Sequence, residues 1–228
     1  MDQQELITQL LDHEFVMFHA VNGDGEKADC QNDRQTFDMM RRAQFSAWSP
    51  EAVSSYYEDV LEAERVGRNL CMEKYIHMMK NTAILQYEQL KERLTFPDER
   101  GMELAELING KMIKQTEVLF QRYPYVSGAG RPLYSTYDLG GTTSIETYQR
   151  GELLTYSTRT LELLYQHLCS LEAQGISLAE KILEGSVCSY GYKSLDEAEK
   201  ATRERAEAMG IQISYGCSRC QEIPPEEE

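Results

Sequence analysis

Apolar side chains recur at three- and four-residue intervals along most of this 228-residue chain, and this spacing limits the fold more than any other feature. An amphipathic helix has this period because it turns once every 3.6 residues, whereas a half-buried strand alternates at every second residue. Residues 3–20 show it first, with six residues on one predicted helix face: Leu6, Ile7, Leu10, Leu11, Phe15 and Phe18. No convincing alternating run is present, so the sequence predicts an all-α fold.

Residues that begin or interrupt helices divide this pattern into segments. Asn32 or Asp33 is suited to cap one helix, and Ser49, which is followed by proline and glutamate, is suited to cap the next. The polar, glycine-rich stretch 123–143 predicts a loop. Beyond that loop, the apolar period predicts helical structure from 144 to about 173, with one helix ending at the aromatic-serine pair Tyr156–Ser157 and the next broken by Gly175.

The chain also resembles itself at an offset of 108 positions. Six of the 29 positions from 42 to 70 are then identical, where ordinary composition gives about two. The identities are Arg42/Arg150, Ser49/Ser157, Tyr57/Tyr165, Glu64/Glu172, Gly67/Gly175 and Leu70/Leu178. The sequence therefore predicts an internally duplicated helical bundle. Its repeats are residues 1–97 and 98–210, packed as one domain with approximate two-fold symmetry, and an acidic, partly disordered tail follows over 211–228.

The charge balance excludes several classes of partner. Thirty-eight acidic residues against 23 basic ones give a net charge of −15, which repels phosphate backbones and anionic lipids. The first ten residues lack the basic and apolar regions of an export signal, and no later run is apolar enough to span a membrane. We therefore expect a cytoplasmic protein with no nucleic-acid or membrane partner.

Four words of sequence carry a resemblance to a known family: CQND at 30–33, RRAQFSAWS at 41–49, RGELLTYS at 150–157 and YGYKSLDEAE at 190–199. They resemble an uncharacterised bacterial family, a domain of unknown function found largely in anaerobic, often gut-dwelling species, over about residues 1–200. The resemblance implies no activity. It does place seven candidate site residues inside family-typical words: Cys30, Gln31, Arg41, Trp48, Arg150, Glu152 and Tyr156.

Cys30 is the strongest candidate for a nucleophile. A thiol just before a helix N-terminus feels positive partial charge, which lowers its pKa, and Arg41 or Arg42 on the same helix would lower it further. The flanking Asp29 and Asp33 act in the opposite direction and raise the pKa of the Cys30 thiol. The alternatives are therefore a reactive thiol and a structural or ligand-lining thiol.

Two other segments carry polar groups that could bind an anion. The loop SGAGRP at 127–132 can present backbone N–H groups and the Arg131 guanidinium, although it also reads as a turn-rich connection. Arg150 and Glu152 lie among apolar residues, and Arg42 and Gln44 occupy the matching places in the first repeat.

Buried charges must pair, so these four residues predict either a polar lock between the repeats or the lining of a polar pocket. In such a pocket the arginines would hold a carboxylate or phosphate, and Glu152 would act as acid or base. Trp48 and Tyr156 end the matched helices, and we expect both to be buried where the repeats meet.

No set of metal ligands is recognisable, because the CxxC of Cys217 and Cys220 has no second pair, and no particular cofactor is indicated. The predicted function is an enzyme or small-molecule binder with an arginine-containing pocket between the repeats for an anionic metabolite. The alternative is a non-catalytic interaction or structural protein that forms a homodimer.

Overall fold

A computed structural model describes residues 2–21, 29–138 and 142–211, apart from the side chains of Asp29 and Cys30. Over these ranges the chain contains helices and short 3-10 turns but no strand, which confirms the all-α prediction. The described α-helices are α1 (Gln3–His19), α2 (Arg34–Ser46), α3 (Pro50–Arg65), α4 (Leu70–Thr82), α5 (Ile84–Leu90), α6 (Glu99–Arg122), α7 (Pro124–Gly128), α8 (Ile145–Leu153), α9 (Thr158–Ala173), α10 (Leu178–Ser189) and α11 (Leu195–Ala208). None of them is both long and apolar enough to cross a lipid bilayer.

Side-chain caps fix where the helices begin. Asp2 accepts a hydrogen bond from the Glu5 backbone N–H, and the Glu5 carboxylate accepts one from the Asp2 backbone N–H, which closes a capping box at α1. Asp33 caps α2, and Ser49 caps α3 as predicted. These bonds satisfy backbone donors that have no partner inside the helix.

The segment 144–173 forms two helices, α8 and α9, which separate near the predicted aromatic-serine boundary. Ser157 adopts an extended backbone and caps α9, while its own N–H donates to the Asp59 carboxylate of α3 at 2.9 Å. The predicted loop 123–143 differs from its prediction, since it contains the short helix α7.

The helices form two groups that meet along a shared core. In one group α1 packs against α2, α3 and α4, and in the other α6 packs against α8, α9 and α10. The groups join through the pairs α2–α10, α3–α9 and α4–α8. Trp48 and Tyr156 are 5% and 2% exposed, and their ring centroids lie 5.8 Å apart in this core, so the predicted burial of both rings is confirmed.

Two glycines allow the groups to approach closely. A Cβ atom on Gly151 of α8 would lie 3.0 Å from the Lys74 carbonyl oxygen of α4, and one on Gly185 of α10 would lie 3.3 Å from the Ala43 Cβ of α2. Small residues permit such close helix packing because no side chain separates the backbones. The contact at Gly151 brings the Lys74 side chain within reach of the next residue of α8, Glu152.

Candidate ligand-binding site

Glu152 is the centre of a buried hydrogen-bond network and is 6% exposed. Its Oε1 atom accepts hydrogen bonds from Arg41 at 2.7 Å, from Gln44 at 3.0 Å and from the Tyr156 hydroxyl at 2.6 Å. Its Oε2 atom accepts one from the Lys74 ammonium at 2.5 Å. Both oxygens of this carboxylate are therefore satisfied by donors from α2, from α4 and from the segment between α8 and α9.

Arg41 connects this carboxylate to a second one. Its Nε and Nη2 atoms donate to the two oxygens of Glu14 at 2.9 and 2.5 Å, while Nη1 donates to Glu152 and to the Gln44 side-chain oxygen. The Tyr56 hydroxyl also donates to Glu14, at 2.7 Å. We call Glu14, Arg41, Lys74 and Glu152 the charge quartet; its two acids and two bases carry no net charge.

Burial and pairing act in opposite directions on the ionisation of the quartet. Burial alone raises the pKa of Glu152, but the charges of Arg41 and Lys74 outweigh it and hold that pKa well below its ordinary value. Burial likewise lowers the pKa of Lys74, and the Glu152 charge more than reverses this. Glu152 and Lys74 are therefore both charged at neutral pH.

The two tyrosines stay protonated. Burial raises the pKa of Tyr56 well above its ordinary value, and the negative charge of Glu14 raises it further. Burial and the negative charge of Glu152 likewise raise the pKa of Tyr156 well above its ordinary value. Each phenol is consequently fixed as a hydrogen-bond donor to a carboxylate. A carboxylate so stabilised in its ionised form is a weak proton acceptor, and the arrangement orients groups more readily than it transfers protons.

Two adjoining cavities flank the quartet. The smaller, about 260 Å³, is bordered by the quartet together with Phe18, Tyr56 and Cys71, and the larger, about 510 Å³, opens between α2, α6, α8 and α10. Four residues line both cavities: Met40, Arg131, Tyr148 and Glu152. The larger cavity has the size and the largely apolar lining that ligand pockets usually have.

Arg131 lies exposed where both cavities meet the surface. It donates to the Thr143 carbonyl oxygen at 3.0 Å, and its Cζ atom lies 4.8 Å from the centre of the Tyr148 ring. The Lys74 ammonium lies 3.5 Å from the centre of the same ring. Among the residues with described side chains, Arg131 has no carboxylate within ion-pair distance, unlike Arg41.

The network therefore brings together five of the residues that the sequence singled out. Arg41, Gln44, Glu152 and Tyr156 bond to one another directly, and the Trp48 ring packs against that of Tyr156. Gln44 and Glu152 are related by the 108-residue offset, and so are Trp48 and Tyr156.

Three other predicted site residues lie elsewhere. Gln31 donates to the Phe18 and Val21 carbonyl oxygens at the end of α1. Arg42 donates to the Thr8 hydroxyl at 3.3 Å. Arg150 pairs with Glu106 and Glu146 on the outside of α8. None of the three borders either cavity as described, so only part of the predicted set meets at the cavities.

The prediction for the Cys30 thiol lies outside the described residues, because only its backbone, in the turn Asp29–Asn32, is described. A different thiol, Cys71, borders the smaller cavity. Burial and the nearby Glu14 raise its pKa to about 12, so it is protonated and a poor nucleophile at neutral pH. Over the described ranges, no group of three metal-binding side chains forms.

Sequence reasoning missed Glu14, Lys74 and Tyr56. Glu14 lies on a helix face that otherwise carries apolar residues, because it follows Leu10 and Leu11 at helical spacing and precedes Met17. A charged residue on a core-facing stripe requires a partner, and that was the available signal for Glu14. The buried face of α4 that carries Lys74 is mixed and gives no such signal.

A neutral histidine lies one turn beyond Lys74. His77 is 7% exposed, its Nε2 atom has no hydrogen-bond partner among the described residues, and its ring packs edge-on against Phe96 at 5.0 Å. Burial, and to a smaller extent the positive charge of Lys80, lower its pKa from 6.5 to about 4. Folding therefore disfavours its protonation.

Replacing Arg41 with methionine should lower the free energy of unfolding by about 3–5 kcal/mol, because two buried carboxylates then lose their common partner. Urea unfolding followed by helical circular dichroism measures this. The deficit should be smaller at pH 4 than at pH 7, because Arg41 lowers the pKa of Glu152 and its removal lets acid neutralise that buried carboxylate. Arg65→Met, which breaks an exposed pair with Glu62, should change stability little. Equal deficits for both variants would contradict the assigned role of Arg41.

Acid should destabilise the protein through His77. The unfolded chain binds this proton with a pKa near 6.5 and the folded chain only near 4. Stability is therefore lost as pH falls through that interval, by about 2 kcal/mol between pH 7 and pH 5. His77→Leu should remove this part of the slope in urea titrations, and His19→Leu, at an exposed position, should keep it. An unchanged slope in His77→Leu would show that another group titrates.

Comparison with known proteins agrees with the resemblance read from the sequence. No curated protein and no solved structure matches this chain. A family model described as "Protein of unknown function (DUF4125)" matches residues 4–200, a range that includes the whole charge quartet and both cavities. The chain therefore belongs to the family described as protein of unknown function DUF4125.

Proposed function

We propose that this protein binds a small anionic molecule at the two cavities beside the charge quartet, with Arg131 as the group that meets the anion. The observation that carries this proposal is the contrast between the arginines at the site. Arg41 is bonded to two carboxylates, whereas the described bond of Arg131 goes to a neutral carbonyl at the cavity mouth. A guanidinium has five N–H donors, so further ones can face a ligand.

The quartet itself supports a binding role more than a catalytic one. Each of its charges already has a partner of opposite sign, and Glu152 has four donors around its two oxygens. In this proposal the quartet is the polar lock between the helix groups and forms a rigid wall of the site. Rigid walls favour binding because little conformational entropy is lost when a ligand enters.

A thermal-shift experiment tests the function. Inorganic phosphate, a dicarboxylate, an aromatic carboxylate and a straight-chain carboxylate are each titrated, and at least one should raise the melting temperature. A ligand at 100 times its Kd adds about 2.7 kcal/mol to the stability of the folded form.

Arg131→Gln should abolish this shift. The matched control is Arg203→Gln, because Arg203 also lies over a tyrosine ring, 5.1 Å from the centre of Tyr125, but does not border the described cavities. It should retain the full shift. Stabilisation by none of the anions, or equal stabilisation of the Arg131→Gln variant, would reject the proposed function.

We also propose that the two helix groups arose by duplication and are related by approximate two-fold symmetry. At the 108-residue offset, the bounds of α3 coincide with those of α9, and α4 and α10 begin together. Gly67 and Gly175 end the first helix of each pair with φ of +75° and +72°. Ser49 and Ser157 cap equivalent helices through equivalent bonds.

The packing between groups supports the same relation. Under the offset, the pair α2–α10 exchanges with α8–α4, and both pairs have close contacts at matching positions: Ala43 with Gly185, and Gly151 with His77. The cavities correspond too. Residues of the smaller cavity map onto those of the larger one, including Phe18 onto Val126, Phe37 onto Ile145, Leu70 onto Leu178, Cys71 onto Ala179 and Tyr75 onto Leu183.

Matched glycine substitutions test the equivalence. Gly67→Ala and Gly175→Ala should each cost about 1–2 kcal/mol, because a left-handed backbone places Cβ too close to the following carbonyl. Gly110→Ala should instead stabilise by about 0.5–1 kcal/mol, since Gly110 is exposed inside α6 and open space surrounds it. Urea unfolding measures all three. Clearly different costs at Gly67 and Gly175 would argue against equivalent helix breaks.

A further inference from the structure

We infer that the ligand of the larger cavity is a monocarboxylate with an apolar body, which lies between α6 and α10 with its carboxylate at Arg131. This inference rests on the proposed function and specifies the class of ligand. It follows from what the two cavities share and where they differ.

The difference in polarity between the cavities lies at three positions related by the 108-residue offset. Arg41, Tyr56 and Lys74 line the smaller cavity with two charges and a phenol, whereas Gln149, Leu164 and Ile182 occupy the corresponding places of the larger one. Both cationic groups are thereby replaced by uncharged ones. The larger cavity has about 510 Å³ of space and the smaller about 260 Å³.

The inner wall of the larger cavity suits an apolar body. It is formed largely by Ile108, Met112, Leu119, Leu164, Leu178 and Ile182. A polar molecule there would lose its hydration without gaining hydrogen bonds from these side chains, which costs free energy. A hydrocarbon chain has no hydrogen bonds to water to lose, and each CH₂ group that it buries contributes about 0.8 kcal/mol of transfer free energy.

Polar groups occur at the other end of the same cavity. The Ser127 hydroxyl oxygen is buried there without a hydrogen-bond partner among the described residues, and Arg131 follows it by four residues. Gln149 adds an amide to the lining. A buried hydroxyl with no partner costs stability unless a ligand supplies one. A carboxylate oxygen would accept from Ser127 while Arg131 supplies the positive charge.

These positions also give the ligand its direction. Arg131 is exposed, whereas Leu164 and Leu178 are 3% and 1% exposed, so the carboxylate would lie toward the surface and the apolar body would extend inward. The opposite orientation would bring the carboxylate among buried leucines. The net charge of −15 repels anions at long range, but salt screens this field over about 10 Å, and the local contacts then decide binding.

The test measures affinity across a series of straight-chain monocarboxylates from acetate to decanoate by isothermal titration calorimetry with the full chain. Affinity should rise about fourfold per added CH₂ group until the cavity is full. The alcohols of the same chain length should bind at least tenfold more weakly, because they lack the charge that Arg131 meets.

Three variants locate the ligand. Ile182→Trp should abolish binding by filling the cavity, while Ile176→Trp, the same change at an exposed residue outside the described lining, should preserve it. Ser127→Ala should weaken carboxylate binding about tenfold without lowering the melting temperature of the free protein. Circular dichroism of each free variant establishes that it is folded before binding is compared.

The outcomes separate this inference from the proposed function. If phosphate or a dicarboxylate binds through Arg131 while chain length has no effect, the ligand class is wrong and the proposed function survives. If alcohols bind as tightly as carboxylates, or if Ile182→Trp folds and still binds the long acids, the inference is also overturned. If no anion binds at all, both fail.

Discussion

The bond from Arg41 to two buried carboxylates is the contact on which the rest of the structure depends. Glu14 lies on α1, Arg41 on α2 and Glu152 on α8. One guanidinium therefore links two helices of the first group to one helix of the second group. Burying four charges is expensive, and the cost is offset only when each has a well-placed partner. This requirement is why the close approach at Gly151 matters, since it brings Lys74 to the second oxygen of Glu152.

The same contact determines the character of the two cavities. Because the quartet is neutral and fully paired, the quartet itself contributes no unbalanced charge to the smaller cavity. The larger cavity shares Glu152 with the quartet but has leucine and isoleucine where the smaller has tyrosine and lysine. In our proposal, therefore, one of two related sites became a structural lock and left its counterpart free to bind a ligand.

The helices could be predicted from sequence because their causes are local. Apolar spacing and the caps at Asp33, Ser49 and Ser157 act within a few residues. The hydrogen bond from the Ser157 N–H to Asp59, by contrast, joins two helices and has no signal in the local sequence. The sequence predicted a polar lock between the repeats, with Arg42 and Arg150 as its arginines. The buried network contains Arg41 instead. Arg41 and Arg42 are neighbours in sequence and point about 100° apart on a helix, so only the packing of α2 decides which one is buried.

The proposed duplication would also explain why offset-related residues meet at the centre of the molecule. Two-fold symmetry brings a residue into contact with its own counterpart only near the axis, and both Gln44–Glu152 and Trp48–Tyr156 are such pairs. At the axis, a symmetric pair of glutamates would repel and a pair of glutamines would leave Arg41 without a second carboxylate. One glutamine and one glutamate avoid both costs. The ion pair between Arg41 and Glu152 therefore requires the two halves to carry different residues at this position. The same asymmetry between the halves distinguishes the two cavities.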